Sequence, residues 1–199
     1  MSDSQYFSAS PQSPRRHGSV TLHVRGLELE LATDRGVFAA AEVDYGTRYL
    51  LTKMPKPPAQ GTLLDLGCGY GPIATALNHW APASQIWAVD VNPRALELCR
   101  DNLDRNGCAN AVVCQPDEVP TNMRFEAIYS NPPIHIGKTA LHEMLRFWLA
   151  RLNPAARAYL VVNKNLGSDS LARWLTQQGW ITTRLGSRRG YRILEAQAN

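Results

Sequence analysis

Apolar and polar residues alternate strictly over the first patterned stretch of the chain. From Ser19 to Leu31 every second residue is apolar on both sides of Arg25-Gly26. A period of two predicts a strand with one buried face, and a glycine between two such runs predicts a turn. We therefore expect a β-hairpin here. A short helix is predicted within 39–51, and a proline-containing connector follows to Gly61, because proline cannot continue a helix.

Beyond the connector, short apolar runs alternate with segments of helical spacing. Such alternation is typical of a parallel sheet with helices on both faces. The last two strands are joined without a helix, so they must form a hairpin and the last strand must be antiparallel. Strands are predicted at about 62–67, 85–90, 111–114, 125–130, 156–163, 180–185 and 190–196, and helices at about 72–80, 93–106, 138–152 and 168–178.

The predicted fold class is α/β, with a doubly wound, mostly parallel seven-stranded sheet whose last strand is antiparallel. The N-terminal β-hairpin precedes this sheet. The chain divides into a flexible N-terminal arm of residues 1–18, a hairpin and connector of 19–61 packed on the core, and a core domain of 62–199.

A glycine-rich turn follows the first core strand. The sequence Asp65-Leu66-Gly67-Cys68-Gly69-Tyr70-Gly71 leads directly into an apolar helix. Glycines there allow positive φ and close approach of a ligand, while N–H groups at the helix start attract polar ligand atoms. The Gly-x-Gly-x-Gly spacing differs from dinucleotide loops, and no Lys-Ser/Thr follows as in triphosphate loops. Asp65 is placed to accept a hydrogen bond from a ligand ammonium group. A turn that merely joins a strand to a helix is the alternative.

A carboxylate, Asp90, ends the next predicted strand. An acid at the end of the second strand, about 20 residues beyond such glycines, is placed to accept hydrogen bonds from ribose hydroxyls. Together with the glycine turn, it favours a ligand that contains a nucleoside.

Ser130-Asn131-Pro132-Pro133-Ile134 follows the predicted strand 125–130, and ligands lie at the carboxyl ends of strands in such sheets. The prolines stiffen the loop and lack N–H donors, so Oδ1 of Asn131 and the carbonyl of Pro132 can both face outward. Two rigid acceptors suit the two hydrogens of an exocyclic amine. Catalysis would then rest on positioning and electrostatics, without a metal. A simple turn that ends the strand is the alternative.

These two motifs resemble motif I of the class I S-adenosylmethionine-dependent methyltransferases and motif IV of members that methylate amino nitrogens. Three further segments extend the resemblance over residues 19–196, to the "small domain" methyltransferases of the bacterial 16S rRNA guanine-N2 type and their short archaeal relatives. The segments are Asp34-Arg35-Gly36-Val37-Phe38, Asp44-x-Gly46-Thr47 and Val162-x-Lys164-x-Leu166-Gly167.

The resemblance implies S-adenosylmethionine as cofactor. Its implied contacts are Asp65, Gly67, Cys68, Gly69 and Gly71 for the methionine part, Asp90 with Val91 for the ribose, Asp117 or its rival Glu118 for the adenine, and Asn131. The implied catalytic loop is Asn131, Pro132, Pro133 and Ile134. Many members carry an aromatic residue where this chain has Ile134, so adenine is disfavoured and guanine N2 is favoured. Candidate substrate contacts are Phe38, His135 and Lys138.

Composition sets the remaining limits. The 199 residues, 44% of them hydrophobic, suffice for one well-packed domain. The formal net charge of +4 is compatible with a nucleic-acid partner and equally with a neutral substrate. Neither a signal peptide nor a membrane span is predicted, and the four cysteines lack metal-ligand spacing, so we expect a cytoplasmic protein with reduced thiols and no zinc.

The sequence thus predicts an S-adenosylmethionine-dependent methyltransferase that acts on an exocyclic amine of a base in RNA, with ribosomal RNA as partner. Two alternatives remain open. A methyltransferase of a protein glutamine amide or a small metabolite would turn over without RNA. A non-catalytic RNA-binding relative would bind RNA and leave the methyl donor untouched, although the intact acidic and glycine positions argue against it.

Overall fold

The computed structural model describes residues 17–34 and 42–198. The residues of the predicted arm before His17 and the candidate substrate residue Phe38 lie outside the described residues.

The N-terminal hairpin consists of β1 (His17–Val24) and β2 (Leu27–Asp34), paired antiparallel with Val24 opposite Leu27. β1 thus begins two residues inside the predicted arm. The turn residues Arg25 and Gly26 both have positive φ, at 47° and 82°, as the tightest hairpin turns require. One face of the hairpin is buried in the core, as the alternation predicted. Asn102 fixes β2 from the core domain, since its side chain both accepts from and donates to the backbone of Ala32.

Seven strands form the central sheet, in the order β5-β4-β3-β6-β7-β9-β8. β9 runs antiparallel to both of its neighbours, whereas the other pairings are parallel. The predicted doubly wound sheet with an antiparallel last strand is therefore confirmed. The strands are β3 (Gln60–Leu66), β4 (Ala83–Val89), β5 (Ala111–Cys114), β6 (Phe125–Ser130), β7 (Leu152–Asn163), β8 (Ile181–Arg188) and β9 (Tyr191–Gln197).

Within the described residues, five α-helices lie against the sheet. Two of them begin with a proline, whose fixed φ and missing N–H suit the first helical position. The helices are α1 (Tyr45–Lys53), α2 (Pro72–Trp80), α3 (Pro93–Arg105), α4 (Lys138–Leu149) and α5 (Ser168–Gln177).

Two predicted boundaries were wrong. The helix predicted at 138–152 ends at Leu149, because Leu152 already pairs with Phe125 as the first residue of β7. The last hairpin was expected to turn over residues 186–190, but β8 continues to Arg188 and the turn is Arg189-Gly190 alone. Both turn residues have positive φ, at 47° and 80°, so two residues suffice to reverse the chain.

Both faces of the sheet are buried. Successive side chains of a strand point to opposite faces, so Leu63 packs in the cluster with α1, α2 and α3, while Leu64 packs in the cluster with α4 and α5. The parallel strands β3, β4 and β6 consequently end at one edge of the sheet, where three loops emerge. Within 17–34 and 42–198, no helix is long and apolar enough to cross a membrane.

Candidate active site

The loop between β3 and α2 is a tight turn that only glycine fits. Gly67, Gly69 and Gly71 have φ values of 74°, 55° and 88°. A Cβ on Gly71 would stand 2.7 Å from Sγ of Cys99, whereas a Cβ on Gly69 would meet nothing within 4 Å. Gly71 is thus needed for packing, and Gly69 borders open space that a ligand can enter.

The loop uses most of its own N–H groups. Gly67 and Cys68 donate to the carbonyl of Val89 at 2.8 and 3.0 Å, and Gly71 donates to the carbonyl of Cys68 at 2.9 Å. These loop N–H groups are therefore not available to a ligand. At the start of α2, where we expected N–H groups to attract polar ligand atoms, Ala74 donates to Oδ2 of Asp65 and Thr75 donates to the carbonyl of Gly71, both at 2.9 Å. The contact between the loop backbone and a cofactor stays a prediction.

Asp65 lies fully buried at the end of β3, beneath this loop. Its Oδ2 accepts the N–H of Ala74 in the first turn of α2 at 2.9 Å, while Oδ1 has no partner among the described residues. Burial raises the pKa of this carboxyl group to about 8, and the nearby charge of Asp90 adds to the rise. Asp65 therefore anchors α2, a role that the sequence did not predict, and its contact with a ligand ammonium group stays a prediction.

Asp90 joins the glycine loop to the loop after β4. Its Oδ2 accepts the N–H of Gly69 at 2.9 Å, and its Oδ1 accepts the N–H of Asn92 at 2.9 Å. Each carboxylate oxygen can accept a second hydrogen bond, and the contact with ribose hydroxyls stays a prediction. Beside it, the apolar side chain of Val91 is 39% exposed, and its contact with a cofactor also stays a prediction.

Asp117 and Glu118, the two candidate contacts for the adenine after β5, differ in their hydrogen bonds. The carboxylate of Glu118 accepts the N–H of Gln115 at 2.6 Å, in a capping box around a short 3-10 turn. Asp117 is exposed and makes no polar contact within the described part of the chain. Of the two acids, Asp117 is therefore the one available to a ligand.

Asn131, just after β6, is held by two residues from the start of the chain. Its Nδ2 donates to Oδ2 of Asp44 at 2.8 Å and to Oγ1 of Thr47 at 3.1 Å. A carboxylate oxygen only accepts hydrogen bonds, so the amide end that meets Asp44 must be the NH₂ group. Oδ1 of Asn131 is consequently left without a donor among the described residues.

The two prolines complete the loop. The carbonyl of Pro133 accepts the N–H of Ile136 at 3.1 Å, whereas that of Pro132 accepts no hydrogen bond within the described ranges. A Cβ on Gly67 would stand 4.0 Å from Cδ of Pro133, so the proline loop and the glycine loop lie in contact. The two free acceptors, Oδ1 of Asn131 and the carbonyl of Pro132, thus stand beside the glycine loop at the sheet edge.

Asp44 connects three parts of the chain. It is the N-cap of α1 and accepts the N–H of Thr47 at 3.1 Å, while its Oδ1 accepts the hydroxyl of Tyr191 in β9 at 3.5 Å. Sequence reasoning missed Asp44 and Tyr191 as site residues. The only signal was the Asp44-x-Gly46-Thr47 segment, which marks a helix cap and does not reveal a partner 87 residues away.

Three other predicted residues follow the prolines and take no part in the hydrogen bonds of Asn131: Ile134, His135 and Lys138. Ile134 is half-buried and packs on the α4–α5 cluster, at the start of a short 3-10 turn. His135 and Lys138 are exposed, and neither makes a polar contact within the described residues. Their roles as substrate contacts stay predictions.

The cysteines are free and buried. Burial raises the pKa of Cys108 and Cys114 to about 11, so these thiols are protonated near neutral pH. In the part of the chain that the structure describes, no group of three His, Cys, Asp or Glu side chains is placed to hold a metal ion.

Comparison with known proteins adds family evidence to this geometry. The family model described as "Methyltransferase small domain" matches residues 28–195. The uncharacterized protein YbxB of Bacillus subtilis is 31% identical over 195 residues, which covers 96% of this chain and 97% of YbxB. The ribosomal RNA small subunit methyltransferase C of Shewanella amazonensis is 34% identical over 151 residues, or 73% of this chain and 44% of that protein. The chain therefore aligns with less than half the length of this rRNA methyltransferase.

A solved structure shares the whole fold. The T. thermophilus 16S rRNA N2 G1207 methyltransferase (RsmC), solved in complex with AdoMet and guanosine, superposes with a TM-score of 0.80. The match covers 95% of this chain and 52% of that chain at 23% identity. The hairpin, the seven-stranded sheet and its helices are thus an arrangement known from a methyltransferase.

Proposed function

Because this chain belongs to the methyltransferase small-domain family, we propose that it transfers a methyl group from S-adenosylmethionine to an exocyclic amine of a base in RNA. Guanine N2 of ribosomal RNA is the favoured acceptor. The observation that carries this proposal is the fixed amide of Asn131, whose NH₂ group is bound by Asp44 and Thr47. Its Oδ1 and the carbonyl of Pro132 are left as a pair of acceptors.

The residues around the glycine loop fit S-adenosylmethionine. Gly69 borders open space, and Oδ1 of buried Asp65 has no partner among the described residues. A ligand ammonium group beside Oδ1 would favour the ionised form of this carboxyl group, because a nearby positive charge lowers its pKa. Asp90 would hold the ribose, Val91 would pack on the nucleoside, and Asp117 would accept from the adenine amine. When bound, S-adenosylmethionine would supply an electrophilic methyl group and leave as S-adenosylhomocysteine. The methylated nitrogen would release one proton to solvent, because an amide oxygen and a backbone carbonyl accept hydrogen bonds without taking up a proton.

The two acceptors bind and orient the amine. Oδ1 of Asn131 and the carbonyl of Pro132 each accept one amine hydrogen, which turns the nitrogen lone pair out of conjugation with the base. Positive charge develops on this nitrogen in the transition state, so both acceptors bind it more tightly there than in the ground state. The carboxylate of Asp44 accepts from the other end of the Asn131 amide and thereby makes Oδ1 more negative.

Four observations favour guanine in RNA. The T. thermophilus relative carries guanosine, and the Shewanella relative is an rRNA methyltransferase. In this chain Ile134 offers no aromatic ring after the prolines, and the motif IV enzymes that act on adenine use such a ring. The net charge of +4 suits a polyanionic substrate.

The deciding experiment is transfer of a tritiated methyl group from S-adenosylmethionine to total RNA from a strain that lacks this gene, followed by nucleoside analysis. We expect the label in N2-methylguanosine. Label in N6-methyladenosine or on a ring carbon would contradict the assignment, and label in protein would indicate a glutamine-amide acceptor. Enzyme with Asn131→Ala serves as the control that ties the label to this site.

A further inference from the structure

Helix α1 and the β8–β9 hairpin are packed at distances that only glycine permits. A Cβ on Gly46 of α1 would lie 2.7 Å from Cε1 of Tyr191 in β9. A Cβ on Gly186 of β8 would collide with the hydroxyl group of Tyr49 in α1. Because each element contributes one glycine and one tyrosine, the helix and the hairpin are interlocked and form one rigid surface.

Two tyrosine rings lie on this surface next to Asp44. The rings of Tyr45 and Tyr191 have centroids 5.6 Å apart and are tilted by 47°, and both side chains are only half-buried. Tyr45 adjoins Asp44 in the chain, and the hydroxyl of Tyr191 donates to the Asp44 carboxylate that holds Asn131. The ring pair is therefore two contacts away from the proposed catalytic amide.

Exposed arginines lie in the same elements as the two rings, on α1 and on the β8–β9 hairpin. Residues 181–194 contain four arginines and no Asp or Glu. Arg192 is paired with Asp169, but Arg188 and Arg189 are exposed and form no ion pair with any described residue. The guanidinium of Arg189 lies 5.3 Å from the ring centroid of Tyr45. On α1, exposed Arg48 follows Tyr45 by three residues and so lies on the same helix face.

We propose that Tyr45 and Tyr191, together with Arg48, Arg188 and Arg189, bind the single-stranded RNA nucleotides that flank the target base. We call these five residues the tyrosine–arginine surface. Aromatic rings stack on bases of any sequence, and guanidinium groups bind phosphates, so the combination matches single-stranded RNA. The exocyclic amine of a paired base is already hydrogen-bonded, so the base must leave the duplex to reach Asn131. The flanking nucleotides are then unpaired, and a protein surface can bind them.

This inference rests on the proposed function, and direct RNA binding tests it without turnover. The probe is a short single-stranded RNA with one central guanosine and pyrrolocytidine, a fluorescent base without a free exocyclic amine, on either side, titrated with protein at several salt concentrations. We expect the wild-type protein to quench the pyrrolocytidine fluorescence by stacking. Tyr45→Leu should abolish most of this quenching, whereas Tyr45→Phe, which keeps the ring, should preserve it.

The charge contribution is tested by Arg188→Gln with Arg189→Gln. Two lost phosphate contacts should weaken RNA binding about tenfold or more and reduce the slope of log K against log salt by roughly 1.4, since each single-strand contact contributes about 0.7. The matched control is Arg105→Gln with Arg173→Gln, which removes the same charge from exposed positions in α3 and α5. Calorimetry with S-adenosylhomocysteine on each variant checks that fold and cofactor site are intact.

The inference is overturned if both double variants weaken binding equally, if the Tyr45 and Arg188/Arg189 variants bind like wild type, or if a duplex probe is quenched as strongly as the single strand. The proposed function is tested separately, by the transfer of labelled methyl groups to RNA. If wild-type protein labels no RNA although it binds S-adenosylhomocysteine, the activity assignment is wrong, whatever the result of the fluorescence titration. If it labels RNA while the surface variants bind normally, only the tyrosine–arginine surface is wrong.

Discussion

Two hydrogen bonds decide which end of the Asn131 side chain is available to a substrate. Since Asp44 and Thr47 bind its NH₂ group, Oδ1 is the end left free to accept from the proposed substrate amine. Asn131→Ala removes one oriented acceptor, so we expect kcat to fall about 100- to 1000-fold, or roughly 3–4 kcal/mol. Affinity for S-adenosylhomocysteine should change far less, because the contact acts mainly in the transition state. A fully active Asn131→Ala protein would refute the mechanism.

In the proposed mechanism, Asp44 is a positioning residue that acts through Asn131. Asp44→Asn keeps an oxygen for both the Asn131 NH₂ group and the Thr47 N–H, so we expect a loss in kcat of roughly tenfold or less, from the lost charge. Asp44→Ala loses the cap and the orientation, so kcat should fall much further and the helix should lose about 1 kcal/mol of stability.

Asp44→Ser separates these two effects. Serine is a good N-cap, so thermal stability should stay close to that of the wild type. Its shorter side chain does not provide the carboxylate that faces Asn131, so kcat should still fall. Wild-type kcat in Asp44→Ser would mean that Asp44 serves only as a helix cap.

The buried carboxyl group of Asp65 makes stability depend on pH. Its pKa is raised from 3.8 to about 8 in the folded protein. A raised carboxyl pKa means that the folded state favours the protonated form, so this stabilising contribution is fully present below about pH 4 and is lost progressively as the pH rises through 8. Asp65→Asn still accepts from Ala74 but does not ionise.

We therefore expect Asp65→Asn to gain stability relative to the wild type between pH 5 and pH 9, by an amount on the order of a few kcal/mol. Urea unfolding of both proteins at several pH values measures this difference. A difference that stays constant over this range would show that Asp65 does not titrate as its burial implies.

The glycine loop offers a matched pair of substitutions within one element. Gly69→Ala and Gly71→Ala both place a side chain at positive φ, at 55° and 88°, which costs roughly 1–2 kcal/mol. Only the Cβ at 71 meets protein atoms, 2.7 Å from Sγ of Cys99. We expect Gly71→Ala to lower the melting temperature clearly more than Gly69→Ala.

Gly69→Ala, the variant expected to lose less stability, should be the one that loses affinity for the ligand. Gly69 borders open space, so Gly69→Ala should weaken S-adenosylhomocysteine binding in calorimetry although its fold is largely retained. Unchanged affinity in Gly69→Ala would place the ligand elsewhere.

For the molecule as a whole, the sheet order brings the loops after β3, β4 and β6 to one edge of the sheet. The start of α1 and β9 contact each other beside this edge, although they are far apart in the sequence. The excess positive charge predicts that RNA binding weakens steeply as salt rises, because phosphate contacts release counterions. Titration of structured RNA at low and moderate salt measures this slope. A flat response would argue for a protein or small-molecule acceptor.

Most of the element order was predictable because it depends on local patterns. The period-two run, the helical spacings and the glycine punctuation each lie within a few residues, and they placed the hairpin, the strands and α2 correctly. The boundaries at Leu152 and Arg188 were missed because pairing with a distant strand, and not local propensity, extends β7 and β8.

The sequence by itself determined the architecture and the glycine turn, because backbone freedom and hydrophobic periodicity are properties of neighbouring residues. Only the tertiary structure decided which atoms are free. Asp44 meets Asn131 across 87 residues and Tyr191 across 147, so no spacing rule links them. Glu118 is used in a cap and Asp117 is not, although the two are adjacent. Such choices follow from side-chain packing and hydrogen-bond geometry, which exist only after the sheet has assembled.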